Sequence, residues 1–270
     1  MLQSQSGSIA TENGVATIKI PPAPPTRPLQ LRRALRALRE LLNHPDRTEK
    51  AFEIFAAIDG NREEYNFQRF AAHPVGRRLL ARRPSLVQAL CDRDALSRLP
   101  AESFGRAYLD YLERTGFQPT GLIDLKNALQ EQFRANGEQV IEVDSMRAWF
   151  RDRTLLMHDL WHVLSGYGTD ELGEAALLPF SCAQGGGRAN ALLVLGVAVR
   201  GMRQAGPGFL RYLFQAYRRG RKAVWLTALP YEDLLPQPLE TVRRIAAIPP
   251  PEDAHPRGIL RGSWSVAPAT

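Results

Sequence analysis

The sequence has 270 residues, 44% apolar and 23% charged, an ordinary soluble composition that can bury a core and predicts one large domain. The formal net charge of +7 suits a nucleic acid, an anionic membrane surface or an acidic substrate equally, so charge alone does not distinguish these partners. The two cysteines form no CxxC pair, which argues against a disulfide framework and indicates a reducing compartment.

Both ends of the chain are predicted to lie outside the folded domain. Residues 4–14 are polar and aperiodic, and the prolines between Pro21 and Pro28 favour an extended chain that cannot enter a helix. Residues 1–28 are therefore predicted to be a disordered, mobile tail, and residues 249–270 a second proline-rich tail. Residues 1–15 lack the basic and apolar regions of a secretory signal, so we expect the protein to stay inside the cell.

The stretch between the tails, residues 29–248, predicts a single all-α, multi-helix domain. Near its start, four leucines recur at helical spacing among arginines: Leu31, Leu35, Leu38 and Leu42. This pattern favours a surface helix packed on the core, with a helix that binds a membrane or a partner as the alternative. The aromatic helical face of Phe104, Tyr108 and Tyr111 is predicted to be core rather than a cofactor site. The strand-like run at residues 140–143 has no second strand to pair with, so no sheet is expected.

Two segments in the second half of the chain indicate contact with lipid. Residues 189–202 are nearly all apolar, so this helix is expected to be buried or to line a lipid-sized cavity. The five cations between residues 211 and 222 alternate with aromatic residues, a pattern typical of a solvated face, a nucleic-acid surface or a membrane surface. We favour an anionic membrane over nucleic acid, because each basic residue near an anionic leaflet contributes about 1 kcal/mol. The longest uncharged apolar run, residues 191–199, is far shorter than the about 20 residues of a spanning helix, so this contact is expected to be peripheral.

Four residues of metal-binding type occur close together in the sequence. At about 100° per residue, His158, Asp159 and His162 occupy one arc of a predicted helix. Gly166-Tyr167-Gly168 ends that helix, Thr169 or Asp170 is the N-cap candidate of the next one, and Glu174 falls one turn into it. A tight turn makes the two helices antiparallel and brings Glu174 beside the histidines, which completes a set of two nitrogen and two oxygen ligands for a divalent cation. The alternative is that these are ordinary helix residues; a zincin protease is disfavoured because Asp159 replaces the glutamate of that motif.

The string HDLWHVLSGYGTDELGE, residues 158–174, resembles the His-Asp-x-x-His-(x)11-Glu signature of the ubiquinone (coenzyme Q) biosynthesis protein 4 family. Residues 99–112 resemble that family's Leu-Pro-x-x-(Ser/Thr)-(Leu/Phe)-Gly-x-x-Tyr-x-x-(Phe/Tyr)-Leu segment, and Tyr231-Glu232 with the helix that follows is similar to its C-terminal part. The resemblance covers residues 51–248.

The resemblance implies roles for individual residues. The metal ligands would be His158, Asp159, His162 and Glu174, and zinc is the metal we expect, with Fe2+, Mn2+ and Co2+ as alternatives. Arg153 matches an arginine that the family carries five residues before the first histidine. It would anchor a substrate carboxylate, or alternatively form a salt bridge that orients Asp159 or Glu174.

The activity implied by the resemblance is oxidative decarboxylation of a polyprenylated 4-hydroxybenzoate-derived ring, with a hydroxyl replacing the C1 carboxylate. We expect this reaction at the cytoplasmic side of a membrane, next to other quinone-biosynthesis enzymes, and the oligomeric state is left open. The alternative is a non-catalytic organiser that binds the polyprenyl precursor and presents it to those enzymes. A closed, four-ligand metal would favour the organiser, and an exchangeable water on the metal would favour the enzyme.

Overall fold

The structure, a computed structural model, describes residues 9–12 and 15–249, and side chains from Ile18 onward. Within these residues fourteen α-helices form a single domain, so the predicted all-α fold is confirmed. The helices are α1 (Leu31–Asn43), α2 (Glu49–Ile58), α3 (Arg62–Ala72), α4 (Pro74–Arg82), α5 (Leu86–Cys91), α6 (Arg93–Ser97), α7 (Phe104–Thr115), α8 (Gly121–Ala135), α9 (Ser145–Ser165), α10 (Glu171–Ala183), α11 (Arg188–Ala205), α12 (Gly208–Lys222), α13 (Tyr231–Leu234) and α14 (Leu239–Ile245). A 3₁₀ turn, Leu226–Ala228, lies between α12 and α13.

A β-hairpin precedes the helices. Strand β1 (Ile9–Glu12) pairs antiparallel with β2 (Val15–Ile18), with Ile9 opposite Ile18. The amino-acid pattern predicts no strand here, because two strands of four residues are too short to produce a clear alternation. Among the described residues, the two strands of the hairpin pair only with each other. Residues 140–143 form no strand.

The segment between the hairpin and α1 lies against the domain. Ile18 and Ile20 pack on an aromatic cluster that includes Phe70 and Phe150, and the Pro21 carbonyl accepts a 3.1 Å hydrogen bond from Arg147. The mobility of residues 1–28 stays a prediction. For residues 18–21 to move freely, their contacts with the aromatic cluster and with Arg147 would have to break. Residues 1–8 and all but Pro249 of the predicted C-terminal tail lie outside the described residues.

The largest part of the core surrounds α9, which contacts α3, α5, α7, α8, α10 and α14. The helix begins where the Asp144 side chain accepts hydrogen bonds from the backbone N–H groups of Met146 and Arg147. It ends at Gly166, whose φ of 75° is left-handed and favours glycine. The central helix therefore begins and ends at signals that lie in its own local sequence.

Burial differs from the prediction on three helices. On α1, Leu31 and Leu35 are exposed and Ala34 and Ala37 are buried instead, because the small residues lie where α1 packs against α2 and α11. On α11 the prediction that the helix is buried or lines a cavity is wrong for one face, which includes Leu195 at 60% exposure. The reason is that α11 packs on α1 and α2 on one side and on α10 and α12 on another, which leaves its outer face uncovered.

The third difference is on α12, where one of the five cations of the predicted basic surface is buried. The guanidinium of Arg219 donates to the carbonyl of Ser165 at 2.9 Å and to that of Pro249 at 2.8 Å.

No helix in the described part of the chain is long and apolar enough to cross a membrane.

Candidate metal centre

Helix α9 places both histidines of the predicted site. His158 and His162 are one turn apart, with ring centroids 4.9 Å from each other and an interplanar angle of 73°. His162 is only 2% exposed, whereas the side chain of His158 is 38% exposed. One imidazole is therefore held inside the domain and the other reaches its surface.

The C-terminal end of α9 is held by two arginines from distant helices. Arg219 on α12 binds the Ser165 carbonyl, and Arg243 on α14 donates to the carbonyls of Leu164, at 3.1 Å, and Val163, also at 3.1 Å. The last carbonyls of a helix lack intrahelical partners and carry partial negative charge, so these cations satisfy them. The turn that follows the histidines is thereby fixed in position.

The turn after α9 brings Glu174 to the histidines, as predicted. Asp170, one of the two N-cap candidates, caps α10 by accepting 2.9 Å hydrogen bonds from the N–H groups of Leu172 and Gly173. Glu174 follows in the first turn of α10, with its Oε1 atom 3.2 Å from His162 Nε2.

Three of the four predicted ligands form a compact group. His158, His162 and Glu174 each offer one ligand atom, and these atoms lie within 4.8 Å of one another. Asp159 lies beside the group, with its Oδ1 atom 3.3 Å from His158 Nδ1. The structure thus places Asp159 next to an expected ligand, and its own role as a ligand stays a prediction.

The donor atoms at His162 fit a cation. The Nδ1 N–H donates to the Tyr167 carbonyl at 3.1 Å, which leaves a lone pair on Nε2. This buried Nε2 faces Glu174 yet has no partner with hydrogen-bond geometry among the described residues. A buried nitrogen and a carboxylate oxygen that face each other in this way are both electron-pair donors, and a divalent metal would satisfy them together.

Electrostatics favour a negative carboxylate at this site. Burial raises the pKa of Glu174, but the neighbouring imidazoles of His162 and His158 outweigh burial when they are protonated, so the pKa is lowered. Burial lowers the pKa of His158, but the Asp159 hydrogen bond and the charges of Glu174 and Asp159 outweigh it, so that pKa is raised. Both directions follow from carboxylates that lie beside cationic groups, and a divalent cation at this position would also favour the ionised carboxylate.

Arg153 does not reach this group. Its guanidinium, 2% exposed, binds both carboxylate oxygens of Glu232, at 2.5 and 3.0 Å, and donates to the Leu229 carbonyl at 3.0 Å. The alternative of a salt bridge to Asp159 or Glu174 is wrong in this structure. The predicted role as a substrate anchor stays a prediction, and it would require the pair with Glu232 to open.

Two tyrosines that the sequence analysis assigned to the core lie against the cluster. The ring of Tyr111 stacks on His162, with centroids 6.0 Å apart, and on Tyr108, with centroids 6.1 Å apart. Both hydroxyls are buried without a hydrogen-bond partner among the described residues. Burial, together with the charge of Asp159, raises the pKa of both phenols. The signal in the sequence was the spacing of three residues, which puts both rings on one face of α7.

A groove leads to the exposed side of the cluster. It has a volume of about 1100 Å³, and its lining includes His158, Asp159 and Glu174. One apolar face of α8 forms part of its wall, with Leu125 and Phe133 among the lining residues. The groove is of ligand size, and its use as a lipid-binding cavity stays a prediction.

Comparison with known proteins places these features in a family. A sequence profile described as Coenzyme Q (ubiquinone) biosynthesis protein Coq4 matches residues 64–252. The chain is 28% identical over 188 residues to the mitochondrial ubiquinone biosynthesis protein coq-4 of Neurospora crassa, which covers 67% of this chain and 48% of that protein. It is 29% identical over 175 residues to the mitochondrial COQ4 homolog of Danio rerio, with 63% and 58% covered. The chain thus spans about half the length of these relatives.

The fold is also found in a solved structure. A crystal structure from Nostoc punctiforme PCC 73102, described as a candidate ubiquinone biosynthesis protein, superposes with a TM-score of 0.55 at 17% sequence identity. The match covers 81% of this chain and 98% of the other. At this identity the similarity establishes the fold alone.

Proposed function

Because this chain belongs to the coenzyme Q (ubiquinone) biosynthesis protein Coq4 family, we propose that it is a metal-dependent enzyme of ubiquinone biosynthesis. Its substrate would be a polyprenylated ring derived from 4-hydroxybenzoate, and its reaction the oxidative removal of the C1 carboxylate. The observation that carries the proposal is the buried Nε2 of His162, which faces Glu174 Oε1 at 3.2 Å without a hydrogen bond.

The metal would be a divalent cation held by His158, His162 and Glu174, with Asp159 as the fourth ligand. Zinc is the expected metal, with Fe2+, Mn2+ and Co2+ as alternatives, since two imidazoles and two carboxylates suit all four. When bound, it would supply Lewis acidity or, in the case of iron, reactivity toward dioxygen.

The net reaction breaks the bond from C1 to its carboxylate carbon, releases CO2 and forms a C1–O bond. With dioxygen as the oxidant, one oxygen atom enters the ring and the other leaves as water, and an external donor supplies two electrons and two protons. The residues of this chain would bind and orient the substrate. The exposed His158 edge of the cluster opens to the groove, whose apolar walls would hold the polyprenyl tail and exclude water.

The second candidate function is a non-catalytic organiser that binds the polyprenyl precursor and presents it to other enzymes of the pathway. The observation in its favour is the ion pair of Arg153 with Glu232, which leaves no free guanidinium for a substrate carboxylate at that position.

For both functions we propose peripheral contact with a membrane. The relatives are named as mitochondrial proteins, and the cytoplasmic side stays a prediction for this chain.

Turnover by the purified full chain tests the proposal. The protein would be loaded separately with Zn2+, Fe2+, Mn2+ or Co2+ and given a polyprenylated substrate that carries 13C in its C1 carboxylate, with dioxygen and a reductant. We expect release of labelled CO2 and formation of the hydroxylated ring with one of these metals. His158→Ala should abolish release, whereas His44→Ala, at an exposed position after α1, should not.

The two candidate functions predict different results in this experiment. No labelled CO2 with any metal, together with retained binding of the polyprenyl substrate, would overturn the enzyme and support the organiser. Loss of both binding and turnover in the wild-type protein would contradict both functions.

A further inference from the structure

Helices α11 and α12 carry matching exposed apolar stripes. On α11 the stripe is Leu195, Val199 and Met202, and on α12 it is Leu210, Phe214 and Tyr217. Each set has spacings of four and then three residues, which place its members on one side of the helix. Leu195 and Phe214, one on each helix, are both 60% exposed. Single exposed apolar residues are ordinary, but two such rows on neighbouring helices are not.

The two stripes lie on helices that pack against each other. α11 and α12 both pack on α10, and each stripe lies on the part of its helix that the described domain leaves exposed. The two helices meet closely at Gly201, where an added Cβ would overlap the ring of Phe209. We call the two exposed stripes on these adjoining helices the α11–α12 face.

Basic residues border the apolar stripes. Arg203, Arg211, Arg218, Arg221 and Lys222 are all exposed. No acidic residue occurs in either helix, so no carboxylate of α11 or α12 offsets these charges. The exposed apolar rows thus lie beside exposed cations, and the acidic partner on a neighbouring helix is Glu171 of α10, 3.6 Å from Arg200.

We propose that the α11–α12 face docks the protein on an anionic phospholipid bilayer. Apolar side chains beside arginines and lysines are typical of helices that lie in the membrane interface, where the apolar groups enter the acyl region and the cations meet lipid phosphates. The inference specifies the membrane contact of the proposed function, but it does not depend on catalysis.

Two other occupants fit the face less well. A second copy of this chain, apposed through the same face, would bring like charges together. A nucleic acid would meet the cations, but rows of leucine, valine and methionine do not suit a polar interface with phosphates and bases. The combination of apolar and positive groups favours lipid.

Vesicle binding by the full chain tests the proposal. We expect the wild-type protein to sediment with vesicles of equal parts phosphatidylcholine and phosphatidylglycerol, to bind much less to phosphatidylcholine alone, and to be released in part by salt. Leu210→Ser should lower the partition coefficient about tenfold, because it removes a side chain from the acyl region. Arg211→Ala with Arg218→Ala should lower it about 25-fold, roughly fivefold for each cation.

Helix α1 offers matched controls, because it too is basic and exposes leucine. Leu35 is 49% exposed and Leu210 is 41% exposed, so Leu35→Ser makes the same change on another basic helix. Arg32→Ala with Arg36→Ala is the corresponding charge control, since both arginines are exposed. We expect both controls to bind vesicles as the wild type does. If the α1 variants lose binding and the α12 variants keep it, the proposal is wrong.

Further measurements distinguish membrane docking from catalysis, from self-association and from nucleic-acid binding. Leu210→Ser should retain the wild-type circular dichroism spectrum, metal content and turnover of detergent-dispersed substrate, so a failure of docking is distinct from a failure of catalysis. A wild-type dimer that Leu210→Ser converts to a monomer, without binding to vesicles, would identify a self-association surface and overturn the proposal. Binding to nucleic acid in place of vesicles would also overturn it.

Discussion

Gly173 determines how closely α10 approaches the turn that precedes it. A Cβ at this position would overlap the backbone of Gly168, so only glycine permits the observed contact. We expect Gly173→Ala to lower the free energy of unfolding by about 1–3 kcal/mol, as other overpacked sites do. Gly121→Ala on α8 is the control, because open space surrounds Gly121 and alanine favours a helix. Denaturant unfolding measures both, and equal stabilities of the two variants would show that the contact can relax.

Glu174 is the residue that links the second helix to the metal centre. Glu174→Gln keeps the shape of the side chain and removes the charge that balances a cation. We expect metal affinity to fall by more than the roughly 10–100-fold that is typical for loss of an outer-shell partner. Competition with a chelator measures this affinity. Glu171→Gln, in the same turn of α10 with a side chain that is 54% exposed, should bind metal normally. Full metal occupancy in Glu174→Gln would mean that Glu174 is not a needed ligand.

At the scale of elements, α9 is joined to distant helices by buried ion pairs. Arg153 connects it to α13 through Glu232, and Arg147 connects it to α3 through Glu64. The two Arg147–Glu64 hydrogen bonds are 2.6 and 2.7 Å long, and a further bond of 2.5 Å joins Arg147 to Asp144. The first turn of α9 is thus held by the ion pairs of Arg147. Its last turn is held by Arg219 and Arg243, which bind its carbonyls.

The Arg147–Glu64 pair predicts a dependence of stability on pH. The hydrogen bond with Arg147 lowers the pKa of Glu64 from its ordinary value of 4.5. The stabilisation is therefore complete above about pH 4.5 and is lost as the pH falls through the lowered pKa of the folded state. Glu64→Gln should cost about 1.5–3 kcal/mol at neutral pH and weaken the loss of stability in acid.

Glu63 provides the control for this change. Its side chain is 48% exposed and pairs with Arg151, so Glu63→Gln should change the free energy of unfolding by less than about 1 kcal/mol. Urea unfolding at a series of pH values compares the two variants. If wild type and Glu64→Gln lose stability in parallel as the pH falls, the predicted role of this pair in acid sensitivity is wrong.

For the whole molecule, the metal centre couples ligand binding to folding. The cluster joins α9 to α10, so its ligands are close together only in the folded chain. At a free Zn2+ concentration of 100 times the Kd, binding should add about 2.7 kcal/mol to the free energy of unfolding and raise Tm by roughly 5–10 °C. Calorimetry with Zn2+ and with a chelator measures the shift. His158→Ala should abolish it and His44→Ala should keep it, and an equal shift in both variants would place the metal elsewhere.

The sequence alone determined the helices of the site and their order. Asp144, Gly166 and Asp170 act within one turn of backbone, so their effects on α9 and α10 can be read from neighbouring residues. His158, His162 and Glu174 belong to two consecutive helices joined by a short turn, and helical periodicity was therefore enough to predict that they meet. The all-α class followed in the same way from local periodicity.

Only the tertiary structure decided which distant groups meet and which faces remain uncovered. The partner of Arg153 lies 79 positions further along the chain, and Tyr111 reaches His162 because α7 packs on α9. Leu35 and Leu195 have the helical spacing of core residues but are exposed, because no other element of the described domain covers them. Periodicity specifies the side of a helix on which a residue lies, whereas burial also depends on the elements that pack against that side.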